Sequence, residues 1–155
     1  YVPRKMFDIS QTNIKPNTTK PDYSQRSLLS GLVKDCSYCI TVQSELSLPV
    51  IVGNNEIYYR KDINFEEGFS WLSYVISALS MDQSNKVLLD YKARCTAYIL
   101  CTKLGVPFQM ESEWNNGNPL LHFKNLKAYR QQLKEIRNTA FQLYHNILSV
   151  AELNH

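Results

Sequence analysis

Hydrophobic residues near the C-terminal end of the chain repeat with a helical period. The spacings between them alternate between three and four, through Leu126, Tyr129, Leu133, Ile136, Ala140, Leu143, Ile147 and Val150. This heptad seam lies along one side of a helix. Because Asn118 and Pro119 are typical of an N-cap and a first helical position, the pattern predicts a helix over residues 119–152. Such a helix is about 50 Å long, more than the roughly 30 Å width expected for a domain of this size.

Three further segments, 25–42, 65–80 and 85–104, also have apolar residues at helical spacing. In 48–60, two runs of β-branched or aromatic residues flank a Gly-Asn turn, which predicts a small β-hairpin. Residues 1–24 are polar and contain three prolines, which indicates an extended arm. We therefore expect a mostly α fold with about four helices and one hairpin, forming a single helical domain over 25–155. The first residue is Tyr1, so we also expect a fragment of a larger protein.

Composition restricts the kind of protein. Hydrophobic residues make up 44% of the 155 positions, which is enough for a packed core. The longest apolar stretches fall far short of the ~20 residues that span a bilayer. Four cysteines lie in predicted helical segments, where a domain of this size needs no disulfides. We therefore expect reduced thiols and an intracellular protein of the cytoplasm or nucleus, without a membrane partner.

Positive charge is concentrated on the last predicted helix. Residues 119–155 contain five basic and two acidic side chains. The basic ones follow one another at intervals of three and four and form what we call the basic edge: Lys124, Lys127, Arg130, Lys134 and Arg137. One interpretation is a solvated flank whose aliphatic stems cover apolar neighbours. The other is a docking site for phosphates or for an acidic partner, although the pI of 8.6 is modest for a nucleic-acid-binding domain.

Motifs for catalysis or metal binding are weak. Cys36 and Cys39 have the spacing of a zinc pair, but the other two cysteines, Cys95 and Cys101, would point about 240° apart on one helix. Cys36 with His122 provides the residue types of a cysteine hydrolase and nothing further. The five glycines are scattered and form no phosphate-binding loop. We therefore expect no catalytic residues, no metal site, no cofactor and no small-molecule substrate.

These patterns lead to three ranked hypotheses. The first is a non-enzymatic interaction or scaffold domain that binds another chain, or its own copy, through seam residues Leu133, Ile136, Leu143, Ile147 and Val150. The second is a nucleic-acid-binding module that uses the basic edge and the basic N-terminal arm. The third is a cysteine-based enzyme or a zinc-stabilised domain.

Overall fold

A computed structural model of the chain describes residues 23–110, 119 and 123–153. The described part is mostly helical, with a small three-stranded mixed sheet. Its elements in chain order are α1 (Gln25–Val33), β1 (Cys39–Gln43), β2 (Val50–Val52), β3 (Glu56–Arg60), α2 (Phe65–Leu79), α3 (Lys86–Leu104) and α4 (Leu126–Leu153). The mostly α architecture is confirmed, whereas nearly all of the predicted arm, residues 1–24, lies outside the described residues.

Local capping sets the ends of the two central helices. The Asn64 side chain accepts a hydrogen bond from the Glu67 amide at 2.8 Å and starts α2. Asn85 accepts one from the Leu88 amide at 3.1 Å and starts α3. Gly105 ends α3 in the left-handed conformation, at φ 71°, where a residue without a Cβ is favoured. The bounds predicted for these two helices are therefore close to the observed ones.

The first predicted helix is too long. The helix over 25–42 ends at Val33, and residues 39–43 form β1 instead. β1 pairs with β3 in parallel, with Ile40 opposite Ile57. Because Ile40, Thr41 and Val42 are β-branched, they favour a strand once a neighbouring strand is present. The predicted hairpin is confirmed as the antiparallel β2–β3 pair, which β1 extends into the order β1-β3-β2.

The start of the last helix also differs from the prediction. Helix α4 begins at Leu126, so Pro119 is not part of it, and Asn118 lies outside the described residues. The Asn125 side chain accepts a hydrogen bond from the Lys127 amide at 2.8 Å, as expected of an N-cap. With 28 residues, α4 is about 42 Å long. It is therefore a turn and a half shorter than its sequence pattern predicts.

Helices α2 and α3 form an antiparallel pair, and α4 runs in the same direction as α3. Early in α3, Lys92 contacts Gln132 of α4, and later in α3, Lys103 lies over the ring of Tyr144. Helix α1 packs on the C-terminal half of α4, where a Cβ at Gly31 would lie 2.5 Å from the Ile147 Cα. The shared core comes from all four helices and the sheet and includes Leu28, Leu32, Val50, Ile57, Phe69, Leu72, Leu100, Leu143 and Ile147.

Candidate interaction surface on helix α4

The heptad seam of α4 is mostly part of the protein's own core. Ile136, Leu143 and Ile147 are buried against the rest of the chain, and Val150 is half-buried. The three buried residues therefore lie inside this chain and not at its surface, and their binding to a partner stays a prediction. Heptad spacing predicts that one side of a helix is covered. Here that side is covered by other helices of the same chain.

The seam loses its cover towards the N-terminal end of α4. Helix α1 contacts the distant end, where Asn146 donates a hydrogen bond to Asp35 at 2.7 Å and Ser149 accepts one from Lys34 at 3.1 Å. At the near end, Leu133 is exposed. It is the one predicted partner-binding residue that lies fully at the surface of the described structure.

All five residues of the basic edge are exposed to solvent. Lys124 precedes the helix, and the other four lie on α4 itself. Within the described residues, none of the five forms an ion pair. No described residue therefore neutralises their charges.

Three large apolar side chains lie among these cations. Leu126 and Phe141 are each 60% exposed, and Leu133 is 42% exposed. At 100° per residue, they share an arc of about 120° with the four helical cations, and the arc extends for about 22 Å along the helix. We call this surface the basic–apolar face: Leu126, Lys127, Arg130, Leu133, Lys134, Arg137 and Phe141. The sequence pattern did not single out Phe141, although a large apolar residue next to the basic edge and off the seam was a usable signal.

Within the described part of the chain, no acidic side chain pairs with the cations of the basic–apolar face. Glu135, the only acidic residue between Leu126 and Phe141, points to another side of α4 and contacts the buried Lys92 ammonium at 2.5 Å. The neighbouring cations repel one another across single helical turns, which costs a few tenths of a kcal/mol for each pair. An anionic ligand on this face would remove that repulsion.

The cysteines do not converge on one site. Cys36 lies in the turn after α1, Cys39 is exposed on β1, and Cys101 is buried between α2 and α3. Burial raises the pKa of the Cys101 thiol to about 11, and the hydrogen bond with Ser70 opposes this only partly. No group of three potential metal ligands occurs among the described residues. His122, the predicted partner of Cys36, lies outside them.

An apolar groove lies beside Cys95 on α3. It encloses about 460 Å³ and is lined by Cys95, Tyr98, Ile99 and Phe108. The Tyr98 and Phe108 rings meet edge to face, with centroids 5.6 Å apart. Burial raises the pKa of the Cys95 thiol, and the hydrogen bond with Tyr91 opposes this only partly.

In residues 23–110 and 123–153, no helix has the length and apolar character that a bilayer crossing requires.

Comparison with known proteins gives no match to a family model, to a curated protein or to a solved structure.

Proposed function

We propose that this protein is a non-enzymatic interaction domain that binds an acidic, amphipathic segment of another protein through the basic–apolar face of α4. The supporting observation is the alternation of exposed cations with exposed Leu126, Leu133 and Phe141 on one helix face. Carboxylates of the partner would pair with the cations, and its apolar side chains would cover the leucines and the phenylalanine. The proposed binding surface is thus the basic–apolar face and not the heptad seam.

The apolar side chains favour a protein partner over nucleic acid. Phosphate backbones are bound by charge and hydrogen bonds, and that binding needs no leucine on the contact surface. A helix–helix contact, in contrast, buries large apolar side chains at its centre and places charges at its rim. Nucleic acid remains the second candidate, because the exposed basic edge alone would attract phosphates.

The proposal can be tested by fluorescence anisotropy with the full chain and four labelled probes. Two probes are helical peptides rich in Glu, one with a leucine stripe and one with serine at the stripe positions. The others are a 20-base-pair DNA duplex and a 20-nucleotide single-stranded RNA. We expect the Glu–Leu peptide to bind more tightly than the Glu–Ser peptide and than both nucleic acids at physiological salt.

Matched variants connect the binding to the face. Arg130→Gln with Lys134→Gln should weaken binding of the Glu–Leu peptide about tenfold, at ~0.7 kcal/mol for each exposed pair. Arg26→Gln with Lys61→Gln removes the same charge from exposed positions elsewhere and should change the affinity little. Phe141→Ser should weaken the Glu–Leu peptide more than the Glu–Ser peptide.

The results separate the candidates. Equal loss in both double variants would show that net charge, and not the basic–apolar face, binds the peptide. Tighter binding of DNA or RNA, lost on Arg130→Gln with Lys134→Gln and unaffected by Phe141→Ser, would replace the proposal with the nucleic-acid candidate. Failure of all four probes to bind would reject both.

A further inference from the structure

The strand β1 forms an edge of the sheet that has no cover in the described structure. All five of its residues, Cys39–Gln43, are exposed. We infer that this edge pairs antiparallel with β1 of a second copy of the chain, which joins two sheets into one of six strands. This interface is separate from the basic–apolar face and does not depend on the proposed function.

The hydrogen-bond register shows which groups of β1 point outward. Cys39 N donates to Asn55 O at 3.1 Å, and Lys61 N donates to Gln43 O at 2.9 Å, both towards β3. In a parallel ladder every second residue bonds to the neighbour, so Thr41 also pairs with β3. The amide and carbonyl groups of Ile40 and Val42 therefore point to the open edge. Within the described residues, no strand pairs with them.

The side chains of the same two residues are apolar and lie on the inner face of the sheet. Ile40 is opposite Ile57 and Val42 is opposite Tyr59, and directly opposite residues point to the same face. Ile57 is fully buried under the helices, but Val42 is 59% exposed. The sheet thus extends past its helical layer at β1, which leaves Ile40 and Val42 on the inner face but exposed to solvent.

A second copy satisfies both features in one arrangement. With a two-fold axis through Thr41 and perpendicular to the sheet, Ile40 of each copy is opposite Val42 of the other. These two pairs form four main-chain hydrogen bonds, which use every outward amide and carbonyl of the strand. The same axis places both helical layers on one side of the sheet, so the four Ile40 and Val42 side chains pack together between them.

The lack of charged and pairing-blocking residues on β1 favours self-pairing at this edge. Exposed edge strands usually carry lysine, proline or a bulge that prevents pairing, and Cys39–Gln43 has neither a charged residue nor a proline. Two copies therefore meet there without charge repulsion. The opposite edge differs, because β2 has only three residues and its Val50 is buried under α2. The paired strands are short, so the dimer belongs to the weak, concentration-dependent class.

Sedimentation equilibrium between about 1 µM and 1 mM tests this interface. We expect the weight-average mass of the full chain to rise from 18.0 kDa towards twice that value. Val42→Lys should weaken the dimer at least tenfold, because it places two like charges beside the two-fold axis. Val52→Lys is the matched control, since Val52 is 43% exposed on the same face but on β2. A wild-type chain that stays monomeric at 1 mM, or an equal effect of the two variants, would overturn the inference.

Cross-linking provides a second test that does not depend on how a lysine variant folds. In the proposed dimer, Thr41 of one copy lies directly opposite Thr41 of the other as a non-hydrogen-bonded pair. Their Cα atoms would be roughly 4.5 Å apart, a distance that suits a disulfide between cysteines at this position. In a Cys39→Ser background, Thr41→Cys should give a covalent dimer in a glutathione redox buffer, and Val52→Cys should not. Equal cross-linking of the two variants, or no cross-linking of Thr41→Cys at concentrations where the mass doubles, would place the dimer contact elsewhere.

Discussion

Replacing Gly31 with alanine would test the close backbone contact between α1 and α4. A Cβ at this position would lie 2.5 Å from the Ile147 Cα, 3.0 Å from its carbonyl oxygen and 3.2 Å from its carbonyl carbon. All three are backbone atoms, so no side-chain rotation relieves the overlap. Carbon atoms pack at about 3.5–4.0 Å, and α1 would therefore have to move about 1 Å away from α4. That shift would loosen the packing of Leu28 and Leu32 in the core.

The expected loss of stability follows from two opposing effects. Overpacking of this kind costs about 1–3 kcal/mol and occasionally more, and a backbone contact belongs at the upper end. Alanine is favoured over glycine within a helix by about 1 kcal/mol. We therefore expect Gly31→Ala to lower the free energy of unfolding by about 2 kcal/mol, measured by urea denaturation and circular dichroism.

The neighbouring residue provides the control for helix propensity. Ser30 is exposed on the same helix, so Ser30→Ala should be more stable than Ser30→Gly by about 1 kcal/mol. The preference for alanine over glycine should thus reverse between positions 30 and 31. If Gly31→Ala were as stable as the wild-type protein, the close contact of α1 with α4 would be refuted.

Three other groups give separate predictions. Glu135→Leu should lower the free energy of unfolding by about 3 kcal/mol in urea denaturation, because it removes the charged partner of the buried Lys92 ammonium. Lys92→Met should lower it less, because the Glu135 carboxylate can reach water. Equal losses in the two variants would contradict this prediction. Burial, and then the hydrogen bond from the Tyr74 hydroxyl to Asp90, raise the pKa of Tyr74 to about 12. The stability that this tyrosine contributes is therefore fully present below pH 10 and is lost as the pH rises towards 12. Urea midpoints at pH 9–11 should accordingly fall less steeply in Tyr74→Phe, and equal slopes would refute the assignment. A thiol reagent should label exposed Cys39 first and buried Cys101 last, and mass spectrometry of the labelled peptides would reveal any other order.

The parts of the fold that depend on local chemistry could be predicted from sequence. Helices α2 and α3 start and end at caps such as Asn64 and Gly105, whose signals lie within a few residues of the helix end. β1 could not be predicted in this way. Its apolar residues Cys39 and Ile40 continue the helical spacing of α1, and only pairing with β3, which is distant in sequence, makes them a strand.

The candidate surface on α4 could also be predicted only in part from sequence. Charge and spacing identified the basic edge, and all of its residues are indeed exposed. The spacing of the seam predicts a covered helix face, but it does not show which chain covers that face. Whether Ile147 meets another molecule or Gly31 of its own chain is decided by tertiary packing, which the spacing does not contain. Leu133 and Phe141 are candidate binding residues because both are exposed: Leu133 lies towards the less covered end of the seam, and Phe141 lies off the seam.

The packing of α1 on the far end of α4 has a consequence for how the chain folds. The hydrogen bonds of α4 with Lys34 and Asp35, directly after α1, join residues separated by 115 and 111 positions, and contacts of such high sequence separation are slow to form. During synthesis, Leu28 and Leu32 must wait for Ile147 to leave the ribosome before their part of the core closes. α2 and α3, in contrast, can pair as soon as Leu104 has emerged. The order of translation therefore leaves α1 without this contact until the C-terminal half of α4 has been made.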